Sequence, residues 1–362
     1  MPKTLLRFWT FAAIIFYALC LSPGCSKSEK KMEMPDIKII TRENVHGVIA
    51  PDDNNIWITG NYGTIYHSSD GGENWAKQNS GVEVGILCDG SFIDNKTGWI
   101  VGLSGTIIHT TDKGATWTKQ ETGTERHLFS VFFKDENHGW AVGEWNTIIH
   151  TSDGGKTWES QAEEQDKIFA NVFFVDNENG WAVGERGIIM HTTDAGVTWN
   201  TQMPKTFERE SFEDELINPR PALYCVIFTD PDTGWISGID GTILHTTDAG
   251  KTWDVLHTNA KNAVYSIFIK DGKGWAVGEK GTYLMSPDGG KTWKVNEDAI
   301  ESKFWFRDVR FTNSKNGWVV GQGGTVIHTT DGGNTWEFYS GLSFSMKFFQ
   351  MPKALEFGGG NE

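Results

Sequence analysis

A pair of tryptophans 18 residues apart recurs seven times in this chain: Trp57 and Trp75, Trp99 and Trp117, Trp140 and Trp158, Trp181 and Trp199, Trp235 and Trp253, Trp275 and Trp293, Trp318 and Trp336. Successive first tryptophans lie 42, 41, 41, 54, 40 and 43 residues apart. A unit that repeats at this period cannot bury its apolar face alone, so it must stack on its neighbours. Roughly 40 residues is the length of a four-stranded propeller blade. The composition agrees: 42 Gly among 362 residues, with 38% hydrophobic and 13% aromatic residues, describes a packed, turn-rich chain of short strands. The fold expected is all-β, a single seven-bladed propeller with four antiparallel strands per blade.

The third repeat shows the strands. Leu128 to Lys134 reads as inner strand A and Trp140 to Gly143 as strand B. Thr147 to Thr151 reads as strand C, and Thr157 to Ser160 opens strand D. Glycine stands three residues after every first tryptophan (Gly60, Gly102, Gly143, Gly184, Gly238, Gly278, Gly321), and Gly or Asn146 three residues further on. Both residue types tolerate positive φ, so a tight B–C hairpin is expected to account for them. The C–D turn reads TSDGGKTW in the third repeat and TTDAGKTW in the fifth. Its aspartates, Asp70, Asp112, Asp153, Asp194, Asp248, Asp288 and Asp331, all stand five residues before the second tryptophan. A carboxylate and a hydroxyl so placed accept backbone N–H bonds across the turn. The motif resembles the Asp-box, S/T-x-D-x-G-x-T-W, of sialidase-like propellers. In that family it is structural and lies away from the active site, so the seven aspartates are read as structural and no catalytic residue is assigned.

His67, His109, His150, His191, His245 and His328 share one repeat position, with Met285 in the sixth repeat. Residues at one position of a ring sit at equal radius on separate blades and do not converge, so they read as blade packing. The chain has neither CxxC nor HExxH, and no metal or other cofactor is expected. With 32 basic against 47 acidic residues, net −15, it is not expected to bind nucleic acid.

The ends carry other instructions. Lys3 and Arg7 precede an apolar stretch, Phe8 to Leu21, that is short of the roughly 20 residues of a spanning helix and suits a secretory signal. Ser22-Pro23-Gly24-Cys25 resembles a bacterial lipobox, which implies acylation at Cys25; an ordinary cleaved signal is the alternative. The expected organisation is a signal over 1–25, a polar tether over 26–36, the propeller over 37–350 and a tail over 351–362. Ile37 to Ile40 or Leu342 to Phe349 could add a strand that latches the ring. Cys88 and Cys225 fall in repeats two and five and are expected as separate thiols.

The pattern GWAVGxxGTIxHTTDGGxTW, repeated across the mature chain, resembles the photosystem II stability and assembly factor family. That resemblance implies an exported, non-catalytic propeller that assists assembly of a membrane complex. Members are described as carrying arginines near the start of inner strands. Arg307 matches that placement and Arg126 lies near it in repeat three, while Cys88, Phe129, Ala170 and Tyr224 stand at the corresponding positions elsewhere. By propeller convention the D–A and B–C loops share one face. There Tyr62, Arg126, Trp145, Arg186, Lys280, Trp305 and Arg307 are the candidate contacts for a membrane-associated or exported protein partner. An insertion of about twenty residues, Met203 to Ala222, explains the 54-residue interval and belongs to the same loop class. Asp-box propellers also include sialidases and xyloglucan hydrolases, so a glycan-binding or glycoside-hydrolase propeller is the alternative. A hydrolase should show two carboxylates about 5 to 9.5 Å apart in a cleft.

Overall fold

The structure, a computed structural model, describes residues 41–209, 211–300 and 302–340. The signal segment, Cys25, the tether, both flanking stretches and the tail lie outside the described residues.

Within them, twenty-eight strands form seven four-stranded antiparallel sheets, each built from four consecutive strands. In blade three, strand A is Leu128–Phe133, B is Gly139–Gly143, C is Ile148–Thr151 and D is Glu159–Ser160. Strand B is buried along its whole length because both of its faces are covered by neighbouring blades. Strand D is short, polar and exposed, which suits an outer sheet edge. Blades one and seven are also each made of consecutive strands, so among the described residues no blade is shared between the two ends of the ring.

Adjacent blades are joined by aromatic sandwiches. Six of the first tryptophans stack on the strand C histidine of their own blade, Met285 standing opposite Trp275 in the sixth, and five stack on a strand A phenylalanine of the next blade. Trp99 stacks on His109 with ring centroids 4.6 Å apart and on Phe133 at 3.5 Å. Trp140 with His150 and Phe174, and Trp181 with His191 and Phe228, repeat the arrangement. The second tryptophan of the following blade meets that phenylalanine edge-on, as Trp158 meets Phe133 at 5.8 Å. These are the stacked and T-shaped geometries that the ring quadrupole favours. Hydrogen bonds reinforce them: Trp99 Nε1 donates to Gly154 O at 3.1 Å and Trp140 Nε1 to Ala195 O at 2.9 Å, each reaching the C–D turn of the next blade. The histidines are therefore packing groups, and burial lowers the pKa of His67, to about 4, and of His109, His150, His191 and His245.

The Asp-box turns are closed as read. Thr151 Oγ1 donates to Asp153 Oδ1 and accepts from Gly155 N–H, both at 2.8 Å. Asp153 in turn accepts from the Thr157 N–H at 2.9 Å and its hydroxyl at 2.7 Å, and these bonds lower its carboxyl pKa to about 2. Gly154 N–H donates to Asn137 O, which ties the C–D turn to the A–B turn and places both on one face.

One sequence expectation is corrected. The glycine three after each first tryptophan does not adopt positive φ: Gly184, Gly238, Gly278 and Gly321 are extended, with φ between −160° and −177°. The constraint is steric. A β-carbon on Gly143 would lie 1.8 Å from His127 O, because strand A bulges there and its backbone crosses against strand B. Positive φ belongs to the later pair of residues, which make the hairpin itself.

A second circumferential device was not read from the sequence. Gly47, Asp89, Ser130, Asn171, Cys225, Ser266 and Asp308 occupy one register position on the seven inner strands. Apart from Gly47, their side chains bond across to a neighbouring blade. Val131 N–H donates to Asp89 at 3.3 Å, Val226 N–H to Asn171 at 2.9 Å and Val48 N–H to Asp308 at 3.1 Å. Ser130 and Ser266 hydroxyls donate to Asp89 and Asp308, each at 2.8 Å. Cys225 and Cys88 are free thiols, and burial raises the pKa of Cys225 to about 11.

Candidate functional site

The B–C hairpins turn through two consecutive residues of positive φ, the signature of a type I′ turn. The first positions are Tyr62, Ser104, Trp145, Arg186, Asp240, Lys280 and Gly323, with φ from 53° to 65°. The second are Gly63, Gly105, Asn146, Gly187, Gly241, Gly281 and Gly324. At several of the second positions no side chain fits: a β-carbon on Gly105 would meet Thr124 O of the D–A loop at 1.9 Å. The D–A loops thus pack against the B–C turns, and the two loop classes share one face, opposite the Asp-boxes. Left-handed backbone costs a non-glycine residue about 1–2 kcal/mol. Six of the seven tips carry that cost and hold a side chain outward on a rigid hairpin.

Trp145 is the best-anchored of the candidate contacts. Its side chain is 44% exposed. The neighbouring Asn146 is buried, its N–H donating to Lys167 O and its Nδ2 to Glu163 O, both at 2.7 Å. Arg126 lies over the indole at 5.1 Å and pairs with Glu164 at 3.1 Å. Arg126 belongs to the loop before strand A, not to the strand itself. Tyr62 is 64% exposed on blade one. Arg186 pairs with Asp166 of the preceding D–A loop at 3.5 Å, and Lys280 with Glu279 on its own hairpin at 2.9 Å.

Two further candidates sit at the mouth of the central channel. Arg307 is the bulged residue of its inner strand, in a layer with His46, Cys88, Phe129, Ala170, Tyr224 and Tyr265. It lies over the Tyr265 ring at 5.3 Å, and Tyr265 meets Tyr224 edge-on at 5.2 Å. Burial raises both tyrosine pKa values. Trp305 is half-buried and stacks on His46 at 5.7 Å; it packs locally at the junction of blades seven and one. His46, which sequence reasoning did not single out, also bonds Asn61 Oδ1 through Nε2 at 2.8 Å. The structure therefore divides the candidates: Trp145 with Arg126 on blade three, Arg307 and Trp305 at the channel mouth, and Tyr62, Arg186 and Lys280 on separate tips.

The insertion is a folded spur. It contains a 3-10 turn, Lys205–Phe207, and the helix Phe212–Ile217, capped by Ser211 accepting from Asp214 N–H at 3.1 Å. Phe207 is buried in the blade four and five core, and Arg220 bonds Phe207 O and pairs with Glu215.

The repeat pattern matches the family model described as photosynthesis system II assembly factor YCF48 over residues 19–109, 114–208 and 255–356, most of the chain. The chain belongs to this family. Among solved structures it is similar to "YCF48 bound to D1 peptide", 21% identical, covering 80% of this chain and 94% of that one, with a TM-score of 0.65. It is also similar to YCF48 from Cyanidioschyzon merolae, at 19% identity, 80% and 96% coverage and a TM-score of 0.65. A GH74 xyloglucanase from Xanthomonas campestris shares the architecture at 11% identity, over 84% of this chain and 55% of that one, with a TM-score of 0.66. No curated protein matches the chain. The longest gap in the match, residues 209–254, takes in the helical part of the spur and the first three strands of blade five.

Proposed function

We propose that this member of the YCF48 family is a non-catalytic scaffold that grips a protein partner on the face built by its B–C and D–A loops. The observation that carries this reading is Trp145, a half-exposed indole fixed on a left-handed hairpin tip with the Arg126 guanidinium laid across it. Aromatic and arginine side chains held rigidly at a surface make effective binding anchors because little conformational entropy is lost on association. The acidic side chains around the face support the same reading, since they serve structure: Glu144 accepts from His127 N–H at 2.9 Å, Glu164 pairs with Arg126 and Glu279 with Lys280. One structure similar to this chain is YCF48 bound to a D1 peptide, which supports a peptide segment of a protein as the partner here. In this proposal the chain is exported and held at a membrane through an acylated Cys25.

The test is fluorescence anisotropy of a labelled D1 peptide titrated with the chain and with the W145A/R126A double variant. The expected result is saturable binding that weakens at least about tenfold in the variant, the effect of losing one good anchor. Equal affinity in both would remove the blade-three anchor. Hydrolysis or binding of xyloglucan oligosaccharides, with no peptide binding, would replace the scaffold by the glycan-directed alternative.

A further inference from the structure

The central channel is not a uniform apolar tube. Where the inner strands run toward the A–B turns, one layer of side chains is Ile49, Ser91, Phe132, Phe173, Ile227, Phe268 and, alone in charge, Arg310. These residues line a cavity of about 240 Å³. Arg310 is fixed there by one edge only. Its Nη1 donates to Asp308 Oδ1 at 2.8 Å, Val309 O at 2.9 Å and Ser266 Oγ at 3.4 Å. Its guanidinium lies over the Phe268 ring at 5.6 Å. No protein group among the described residues accepts from Nε or Nη2.

The charges around the cavity leave that second edge as the unmet demand. Asp308 and Arg310 compensate each other, and Asp308 Oδ2 is occupied by Val48 N–H. Asp89 also lines the cavity. Its Oδ1 accepts from Gly90 N–H and its Oδ2 from the Ser130 hydroxyl and Val131 N–H. Lys270, exposed, brings a second cation to the cavity wall. A guanidinium edge of two parallel N–H donors matches the two oxygens of a carboxylate, and the fork is already oriented by its fixed edge and by stacking. Phe132, Phe173 and Phe268 offer an apolar, aromatic wall to whatever body carries that carboxylate.

We propose that the channel is a binding site for a small organic acid, a carboxylate on an aromatic or compact apolar body, seated with its oxygens on the Nε and Nη2 donors of Arg310 and its body against Phe132, Phe173 and Phe268. The site is independent of the peptide-gripping face, because it opens along the A–B side of the ring, where Ala50 and Pro51 follow strand A.

Isothermal titration calorimetry of the full chain in detergent tests this with benzoate as the probe and benzamide as its uncharged isostere. Benzoate is expected to bind saturably at one equivalent, and benzamide at least about tenfold more weakly. R310K, which keeps the charge and loses the planar fork, should weaken benzoate by a similar factor. F173W, which narrows the cavity and leaves Arg310 intact, should abolish binding. Should R310K fail to fold, as judged by near-UV circular dichroism, F173W and the benzoate-to-benzamide ratio decide the matter. Equal binding of benzoate and benzamide, undiminished binding to F173W, or no saturable heat with benzoate would each overturn the proposal. D1 peptide binding by the same preparation is a separate readout, so loss of one site leaves the other measurable.

Discussion

At the scale of single residues, the Asp-box aspartates convert exposed surface into fixed turn geometry. In Asp153 the Thr157 backbone N–H and then its hydroxyl hold the ionised carboxylate; in Asp288 Thr292 does the same, and both carboxyls lie at about 2. Asp112 and Asp331 reach about 2 through equivalent partners. A carboxyl whose folded pKa is depressed contributes stability that is fully present above its unfolded value, 3.8, and is lost as pH falls through the folded value. Because the groups repeat around the ring, their losses fall in one window. The aspartates should make the thermal midpoint drop steeply between about pH 4 and pH 2. Asp153→Asn should lower the midpoint at pH 7 and make the acid limb shallower. A midpoint independent of pH down to 2 would show that these bonds do not stabilise the ionised form. The strand C histidines add an earlier loss: burial lowers their folded pKa values below the unfolded 6.5, so the unfolded chain takes up their protons first and stability falls as pH drops from about 6.5 through the folded values.

At the scale of the blade, the interface depends on a residue that the repeat pattern half conceals. Gln120, at the end of strand D of blade two, donates through Nε2 to Gly154 O at 3.0 Å and accepts from Trp158 Nε1 at 3.2 Å. It thereby grips the Asp-box turn and the second tryptophan of blade three. Gln78 and Gln202 make the same pair of bonds, and Gly114, Gly155 and Gly250 are glycine where these amides approach, with a β-carbon only 2.1 Å from the amide oxygen. Gln120→Leu should cost about 1–3 kcal/mol by denaturant unfolding, because the Trp158 N–H is left without an acceptor. Leu256 holds the equivalent place in blade five without such bonds, so Leu256→Gln should not destabilise its interface by a comparable amount. The glutamine was legible in principle, three residues after the second tryptophan, but only in repeats one to four; Leu256, Asn296 and Tyr339 follow in the others. What the sequence makes plain is periodic: the paired tryptophans and the Asp-box aspartate recur in all seven repeats, and the strand C histidine in six. The inner-strand belt did not, since Gly47, Asp89, Ser130, Asn171, Cys225, Ser266 and Asp308 share a position and no chemistry. They become a set only once the bulge fixes the register. The first glycines stand out in the sequence without their cause, because composition cannot separate a φ requirement from a close backbone approach. Trp145 is legible as one of three tryptophans outside the repeat positions, whereas its Arg126 partner is brought to it only by the D–A loop.

For the whole molecule, the question is what closes a ring whose first and last described blades share no strand. Blades one and seven meet through a core in which Trp318 and Val320 pack on Val45, Val48 and Ile56, with Trp75 edge-on to Trp318 at 5.6 Å. Polar bonds span the same junction: Gly323 N–H donates to Asn44 Oδ1, Asn313 Nδ2 to Asp53 Oδ1 and Val48 N–H to Asp308 Oδ2. Asp308 is the most heavily used of these groups, because it also accepts from Ser266 and neutralises Arg310. The belt is open between blades one and two, where Gly47 has no side chain to offer. Asp308→Ala therefore removes the belt at the closing interface and leaves a largely buried guanidinium unpaired, a change of the kind that costs about 3–5 kcal/mol. Asp308→Asn keeps an oxygen that can accept from Val48 N–H while losing the charge, and should fall between the variant and the native chain. Ser130→Ala, in the same belt but at a junction bridged by the continuous chain, should cost about 1 kcal/mol. If closure is the vulnerable step, Asp308→Ala should also raise hydrogen exchange selectively in strand A of blade one, Val45–Ile49, and strand B of blade seven, Gly317–Gly321. Uniform exchange across all seven blades would mean instead that the ring opens and unfolds as one cooperative unit, with no weakest seam.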